Sequence, residues 1–281
     1  IDKYVILAYL VNKTLSFYNK HFFNISFDEF YSNKSLEIEK ISISEIVREL
    51  KLSKETARRK LNELTKDGII TRDKKKITIQ SNAFSYQKPI ATIQNFSNFL
   101  STSSKYLKIN SNFKSQNSEY FEKQIKKNYT HYWNDFLNFQ IELILRFKDV
   151  FLNYENVMVF CICLLNQAYN MKNSDQKIEA QNTNLMHDMY TNTITRYTLE
   201  NSKGLNPTTI AELTGIPRAS VIRKLNELMK LNFIILNSDK LYTTCSAKKG
   251  AIGFKKLTKF FVSNQPYIRG IIKDFFNYTI I

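Results

Sequence analysis

Two stretches of the chain gather side chains of types that can hydrogen-bond to phosphates or nucleobase edges, with one apolar side chain among them. The first holds Ser53, Lys54, Thr56, Arg58, Arg59 and Asn62, and the second holds Arg218, Ser220, Ile222, Arg223 and Asn226. Arg presents a planar fork of donors that matches two neighbouring acceptors, on phosphate or on guanine O6 and N7. The Asn amide donates and accepts along one edge, which matches adenine. Lys, Ser and Thr near a helix start suit phosphate, and the apolar Ile222 suits a thymine methyl. A basic run, Lys74, Lys75 and Lys76, suits phosphate or the minor groove. Glu55, in the first stretch, repels phosphate but suits the positive end of a helix.

Other chemistries find little material. His21, His131 and His187 are isolated from ligand-spaced partners, and with 6 Gly there is no glycine-rich phosphate loop. Nucleophile-elbow and paired-carboxylate motifs are absent. Cys161 and Cys163 sit in an apolar run and Cys245 stands apart, so buried thiols are expected rather than a disulfide framework or a metal site. We therefore expect no catalytic residues, no metal, no cofactor and no enzymatic activity.

The two stretches are copies of one another. Residues 41–80 align without a gap with 205–244 at a constant offset of 164. Arg59–Leu64 and Arg223–Leu228 both read RKLNEL, and Ile46, Lys66, Ile70 and Lys76 recur as Ile210, Lys230, Ile234 and Lys240. Weaker similarity flanks the module. Leu10-Val11-Asn12 resembles Leu164-Leu165-Asn166, and the spacing of Ile93, Phe96, Phe99, Leu100 and Tyr106 recurs in Phe254, Leu257, Phe260, Phe261 and Tyr267.

The elements that must carry these side chains follow from capping and periodicity. In copy one, Ser42 to Glu45 has the S-x-x-E form of a capping box, and Ile46, Val47 and Leu50 give the helix an apolar face. Ser53 caps a second helix whose core positions, Ala57, Leu61 and Leu64, lie on one face. Gly68 ends it in the left-handed conformation. Ile69–Thr71 and Ile77–Ile79 flank a basic tip as a hairpin. In copy two, Asn206-Pro207 starts a helix with Ile210, Ala211 and Leu213 inward. Gly215 makes the turn, and Pro217 opens a helix with Val221, Leu225 and Leu228 inward. Asn232 replaces Gly68, and strands 233–236 and 241–244 flank a nearly neutral tip. Third helices are expected near 53–66 and 217–230.

Helix, short turn, helix and hairpin is the order of a winged helix-turn-helix. The stretch Ile210-Ala211-Glu212-Leu213-Thr214-Gly215-Ile216-Pro217-Arg218-Ala219-Ser220-Val221 resembles the helix-turn-helix of the MarR and IclR families of bacterial transcription regulators. Leu52 to Arg59 is similar, with Lys51 where those families often have Gly. The resemblance covers about 40 residues per copy and implies that the second helix of each turn motif lies in the major groove.

The expected fold class is mainly α with small β wings: two tandem winged helix-turn-helix units from an internal repeat, joined by helices. Expected domains are a first unit over 1–108, a linker and connecting helix over 109–155, and a second unit over 156–281. Within the middle segment Asn110–Glu119 reads as a Ser/Asn-rich linker, and Tyr129–Phe151 as a helix for packing or dimer formation. Residues 173–184 read as a further loop. The chain carries 41 Lys+Arg against 25 Asp+Glu, a net charge of +16. That excess fits a polyanionic partner, and it also fits the Lys/Asn/Ile bias of AT-rich coding. No run reaches the ~18 apolar residues of a membrane span; Val157–Leu165 reads as a buried helix. Double-stranded DNA is the expected partner, with no membrane and a cytoplasmic, nucleoid-associated location. Three functional readings fit, in this order: a sequence-specific transcription regulator acting as a pseudo-dimer within one chain, a plasmid or phage replication initiator, and a protein-interaction module.

Overall fold

The computed structural model describes residues 2–32, 35–38, 41–73, 76–80, 89–110, 115–172 and 204–244, with scattered positions between 256 and 270. Lys74, Lys75, His187, Cys245 and the loop at 173–184 lie outside the described residues, as does the Lys76 side chain. Two compact units are present, one built on residues 1–145 and the other on 146–266.

The first unit begins with α1 (Asp2–Lys20), whose buried face carries Val5, Ile6, Leu10 and Leu15. Helix α2 (Phe27–Ser32) and strand β1 (Ser35–Ile38) precede α3 (Ile43–Glu49) and α4 (Lys54–Lys66). A hairpin of β2 (Ile70–Asp73) and β3 (Lys76–Gln80) follows, and β1 adds to it antiparallel, giving the order β1-β3-β2. The repeat gave no hint of β1, because it lies upstream of the aligned module. Ile46, Leu50, Ala57, Leu61, Leu64, Ile70, Ile77 and Ile79 form the core, as the helical and period-2 patterns require. Burying a side chain such as Leu61 contributes about 1.5–3 kcal/mol. Val47 is only half-buried at the edge of that core.

Capping explains where the helices start. The Ser42 hydroxyl accepts the Glu45 amide at 3.1 Å. The reciprocal half of the box is not made, because α1 captures the Glu45 carboxylate: Tyr9 donates to it at 3.0 Å and Lys13 Nζ lies 2.9 Å away. Burial pushes the Glu45 carboxyl up, but Lys13 and Tyr9 outweigh it and hold the group below its usual range.

Helices α5 (Ile90–Asn110), α6 (Ser118–Lys127) and α7 (Tyr129–Phe151) follow. The expected linker at 110–119 is thus narrower than its composition implied. Asn110 ends α5, and Ser118 starts α6 behind an Asn117 cap, with Phe121 and Ile125 turned inward. Two apolar residues four apart suffice for this short helix, fewer than a periodicity search needs. In α7 the buried line is Tyr129, Trp133, Leu137, Ile141 and Leu145, whereas Leu143 and Ile144 are half-buried. The helix packs within its own chain through a buried amide network: Asn134 Nδ2 donates to Asn12 Oδ1 at 2.7 Å and to Ser16 Oγ at 2.8 Å.

The second unit is built on the end of α7, α8 (Tyr154–Lys172), α9 (Pro207–Thr214), α10 (Arg218–Lys230) and a hairpin of β4 (Ile234–Leu236) and β5 (Tyr242–Thr244). Its core gathers Phe151, Val159, Phe160, Cys163, Ile210, Val221, Leu225, Leu228, Phe233 and Ile234. Burial pushes the Cys163 thiol up to about 12, which keeps it a neutral packing group. Leu213 departs from expectation: it is 59% exposed. It lies three residues beyond Ile210, but α9 ends one residue later at Thr214, and Gly215 turns the chain away before anything covers that flank. Leu165, in the run expected to be buried, is also exposed. No single described helix is long and apolar enough to cross a membrane.

Candidate nucleic-acid interface

The site is built on α4, and its geometry follows from the three core residues. With Ala57, Leu61 and Leu64 buried, the helix must turn Lys54, Glu55, Arg58, Arg59 and Asn62 to solvent, and all five are exposed. Lys54, Glu55, Arg58, Arg59, Asn62, Glu63 and Lys66 stand around an open depression on this side, four cations against two carboxylates. Ser53 and Thr56 serve the helix start. Ser53 Oγ accepts the Thr56 amide at 3.1 Å and donates to Thr56 Oγ1 at 2.8 Å.

The RKLNEL motif separates into three roles. Leu61 and Leu64 are core. Lys60 and Glu63 pair one turn apart, Nζ to Oε2 at 2.8 Å, on the half-buried flank. The Lys60 hydrogen bond holds the Glu63 carboxyl below its usual range. Arg59 and Asn62 are left outward. Arg59 Nη1 lies 3.5 Å from Glu63 Oε1, a loose contact. Asn62 is held more firmly, since Arg72 Nη1 of β2 donates to its Oδ1 at 3.2 Å.

Arg72 was not among the residues singled out from sequence beyond its place in the basic tip. Strand alternation contains the signal: Ile70 and Arg72 share a face, Ile70 is buried, and that strand packs on α4. Arg72 therefore reaches over the helix rather than outward with the tip.

In the second unit α10 starts at the same offset as α4. Its first turn lacks a side-chain cap, Pro217 standing where Ser53 stands. Arg218, Ala219, Arg223 and Asn226 are exposed, while Ser220 and Ile222 are half-buried. Arg218 Nε donates to Thr208 Oγ1 of α9 at 3.2 Å. Lys224, equivalent to Lys60, is buried and lies 3.2 Å from Glu227 Oε2, which also accepts from Asn156 at 3.1 Å. Burial pushes the Glu227 carboxyl up, but Asn156 and Lys224 outweigh it and hold it low. Among the described residues no group of three or more His, Cys, Asp and Glu is placed to hold a metal ion.

A short helix, a tight turn, a second helix with a basic solvent face and an antiparallel hairpin define the helix-turn-helix class of DNA-binding domain. Residues 36–74 match the model of the DeoR-like helix-turn-helix domain, a span from β1 to β2 that contains α3, the turn and α4. No curated protein and no solved structure matches the chain. The match supports DNA binding and transcription regulation, and a regulator rather than an enzyme.

Proposed function

We propose that this protein is a sequence-specific, double-stranded DNA-binding transcription regulator carrying two winged helix-turn-helix units in one chain, at 1–108 and 156–281, with α4 and α10 as the reading helices. The observation that carries the tandem reading is the recurrence of elements at the offset of the sequence repeat. Helices α3 and α9 start at Ile43 and Pro207, and α4 and α10 at Lys54 and Arg218. The backbone recurs too. Lys51 and Gly215, at the turn, have φ of 50° and 68°; Gly68 and Asn232, after the second helix, have 69° and 58°. Four left-handed positions in two matched pairs support one ancestral geometry, because such φ values are uncommon outside Gly.

In this reading Lys54, Arg58, Arg59, Arg218 and Arg223 approach phosphates and base edges, with Asn62, Ser220, Ile222 and Asn226 beside them. Ser53 and Thr56 approach phosphate as part of the helix N-terminus, and the basic run Lys74–Lys76 supplies further cations for phosphate. The Gly-Ile-Pro turn of the second unit keeps its likeness to MarR- and IclR-type regulators. Two reading helices on one chain make a homodimer through α7 unnecessary for a two-part site. Selection of bound duplexes from a random pool tests the proposal. It should enrich a site with two unlike halves, since Arg58 faces Ile222 in the alignment. Enrichment of a single half, or of no sequence, contradicts the tandem reader.

A further inference from the structure

The reading helices carry an Asn at the same place, Asn62 in α4 and Asn226 in α10, but the strand beside each differs. At the offset of the repeat, Arg72 of β2 corresponds to Leu236 of β4. We propose that this pair of positions decides which base the neighbouring Asn reads: Arg72 makes Asn62 part of a donor-only, guanine-preferring edge, and Leu236 leaves Asn226 able to read adenine. The inference rests on the proposed sequence-specific DNA binding.

Arg has five N–H donors and no acceptor, so the atom of Asn62 that faces Arg72 at 3.2 Å must be the oxygen. That settles the amide orientation, with Oδ1 toward the wing and Nδ2 away from it. Adenine is read by an Asn that accepts from N6 and donates to N7 together. An adenine amino group brought to Asn62 Oδ1 must share that oxygen with the guanidinium, which takes one of its two lone pairs and sets a cation against the incoming donor. Guanine meets no such conflict. Its O6 and N7 are both acceptors, and they face the free N–H groups of Arg72 and Asn62 Nδ2. The strand enforces the arrangement, because Arg72 pairs with Ile77 in the β2–β3 ladder and shares its face with buried Ile70.

In the second unit the corresponding strand position is apolar. Leu236 has no polar group and is 47% exposed. Among the described residues nothing binds the Asn226 amide, so both its donor and its acceptor are available on the outward side of α10.

The test is a reciprocal exchange in the full chain: Arg72→Leu and Leu236→Arg, each compared with the unaltered protein by selection from random duplexes and by titration of the enriched sites. Asn62→Ala and Asn226→Ala identify the base position that each Asn governs. Arg72→Leu should move the Asn62-dependent position from guanine toward adenine by about tenfold in relative affinity. Leu236→Arg should move the Asn226-dependent position from adenine toward guanine, with the other positions unchanged. Both residues are exposed, and unchanged thermal melting confirms that each variant is folded. An adenine preference at the Asn62 position of the unaltered protein overturns the inference. So does an Arg72→Leu variant that binds every duplex more weakly with the same base preferences, which would make Arg72 a phosphate contact. If the unaltered protein enriches no sequence, the failure belongs to the DNA-reading proposal itself.

Discussion

Arg59 and Arg223 stand at the same place in the repeat, yet they are held differently. Arg59 shares Glu63 with Lys60, at 3.5 Å and 2.8 Å respectively. The carboxylate available to Arg223 would be Glu227, but Lys224 and Asn156 already occupy it. The Arg59–Glu63 contact is loose and solvent-screened, and the Arg223 side chain is exposed, so neither arginine is needed for folding. Arg59→Ala and Arg223→Ala should each weaken binding to a selected site by about 1–3 kcal/mol and to random duplex much less. Fluorescence anisotropy on both duplexes measures this. An equal loss on the two substrates would mean that the arginines neutralise phosphate without reading bases.

At the scale of the element, the turn between the two helices keeps one geometry in both copies with different residues. Lys51 occupies a left-handed position that Gly215 fills in the second unit, with φ of 50° and 68°. A side chain with a Cβ is strained there by about 1–2 kcal/mol relative to glycine. No atom lies within 4 Å of a Cβ added at Gly215, so the conformation alone sets the cost of substitution there. Lys51→Gly should therefore raise the denaturation midpoint of the first unit, and Gly215→Ala should lower that of the second. Urea titration followed by circular dichroism resolves the sign of each. A destabilised Lys51→Gly would show that the lysine side chain contributes more than its backbone costs.

For the whole molecule the governing quantity is charge, +16 over 281 residues. Part of that excess is placed: Lys54, Arg58, Arg59 and Lys66 surround one depression on α4, and Arg218, Arg223 and Lys230 are exposed on α10. Cations that neutralise DNA phosphates release condensed counterions, so the logarithm of affinity falls linearly with the logarithm of salt concentration. Binding should weaken steeply with added salt, and Lys54→Ala should lower the slope by about one unit while leaving base preference intact. Salt-independent binding would place the basic excess outside the interface.

Local signals, acting over one or two helical turns, determined much of this protein in the sequence itself. Ser42, Ser53, Asn206 and Pro207 marked helix starts because capping is a property of adjacent residues. Ala57, Leu61 and Leu64 set which side of α4 faces out because helical spacing allows no other. Gly68 and Asn232 marked left-handed exits for the same local reason. What joins distant parts of the chain was decided only in the tertiary structure. The Glu45 carboxylate, written into the sequence as half of a capping box, is taken by Tyr9 and Lys13 from a helix more than 30 residues away. Strand β1 owes its existence to the exposed edge of β3. Leu213, apolar and within reach of Ile210's face, stays in solvent because its helix ends before a neighbour can cover it. Arg72 reads as one more charge in a basic tip until β2 folds back over α4 and brings its guanidinium to Asn62. Burial and partner choice depend on which elements meet, and the meeting of elements is not encoded in the spacing of residues within any one of them.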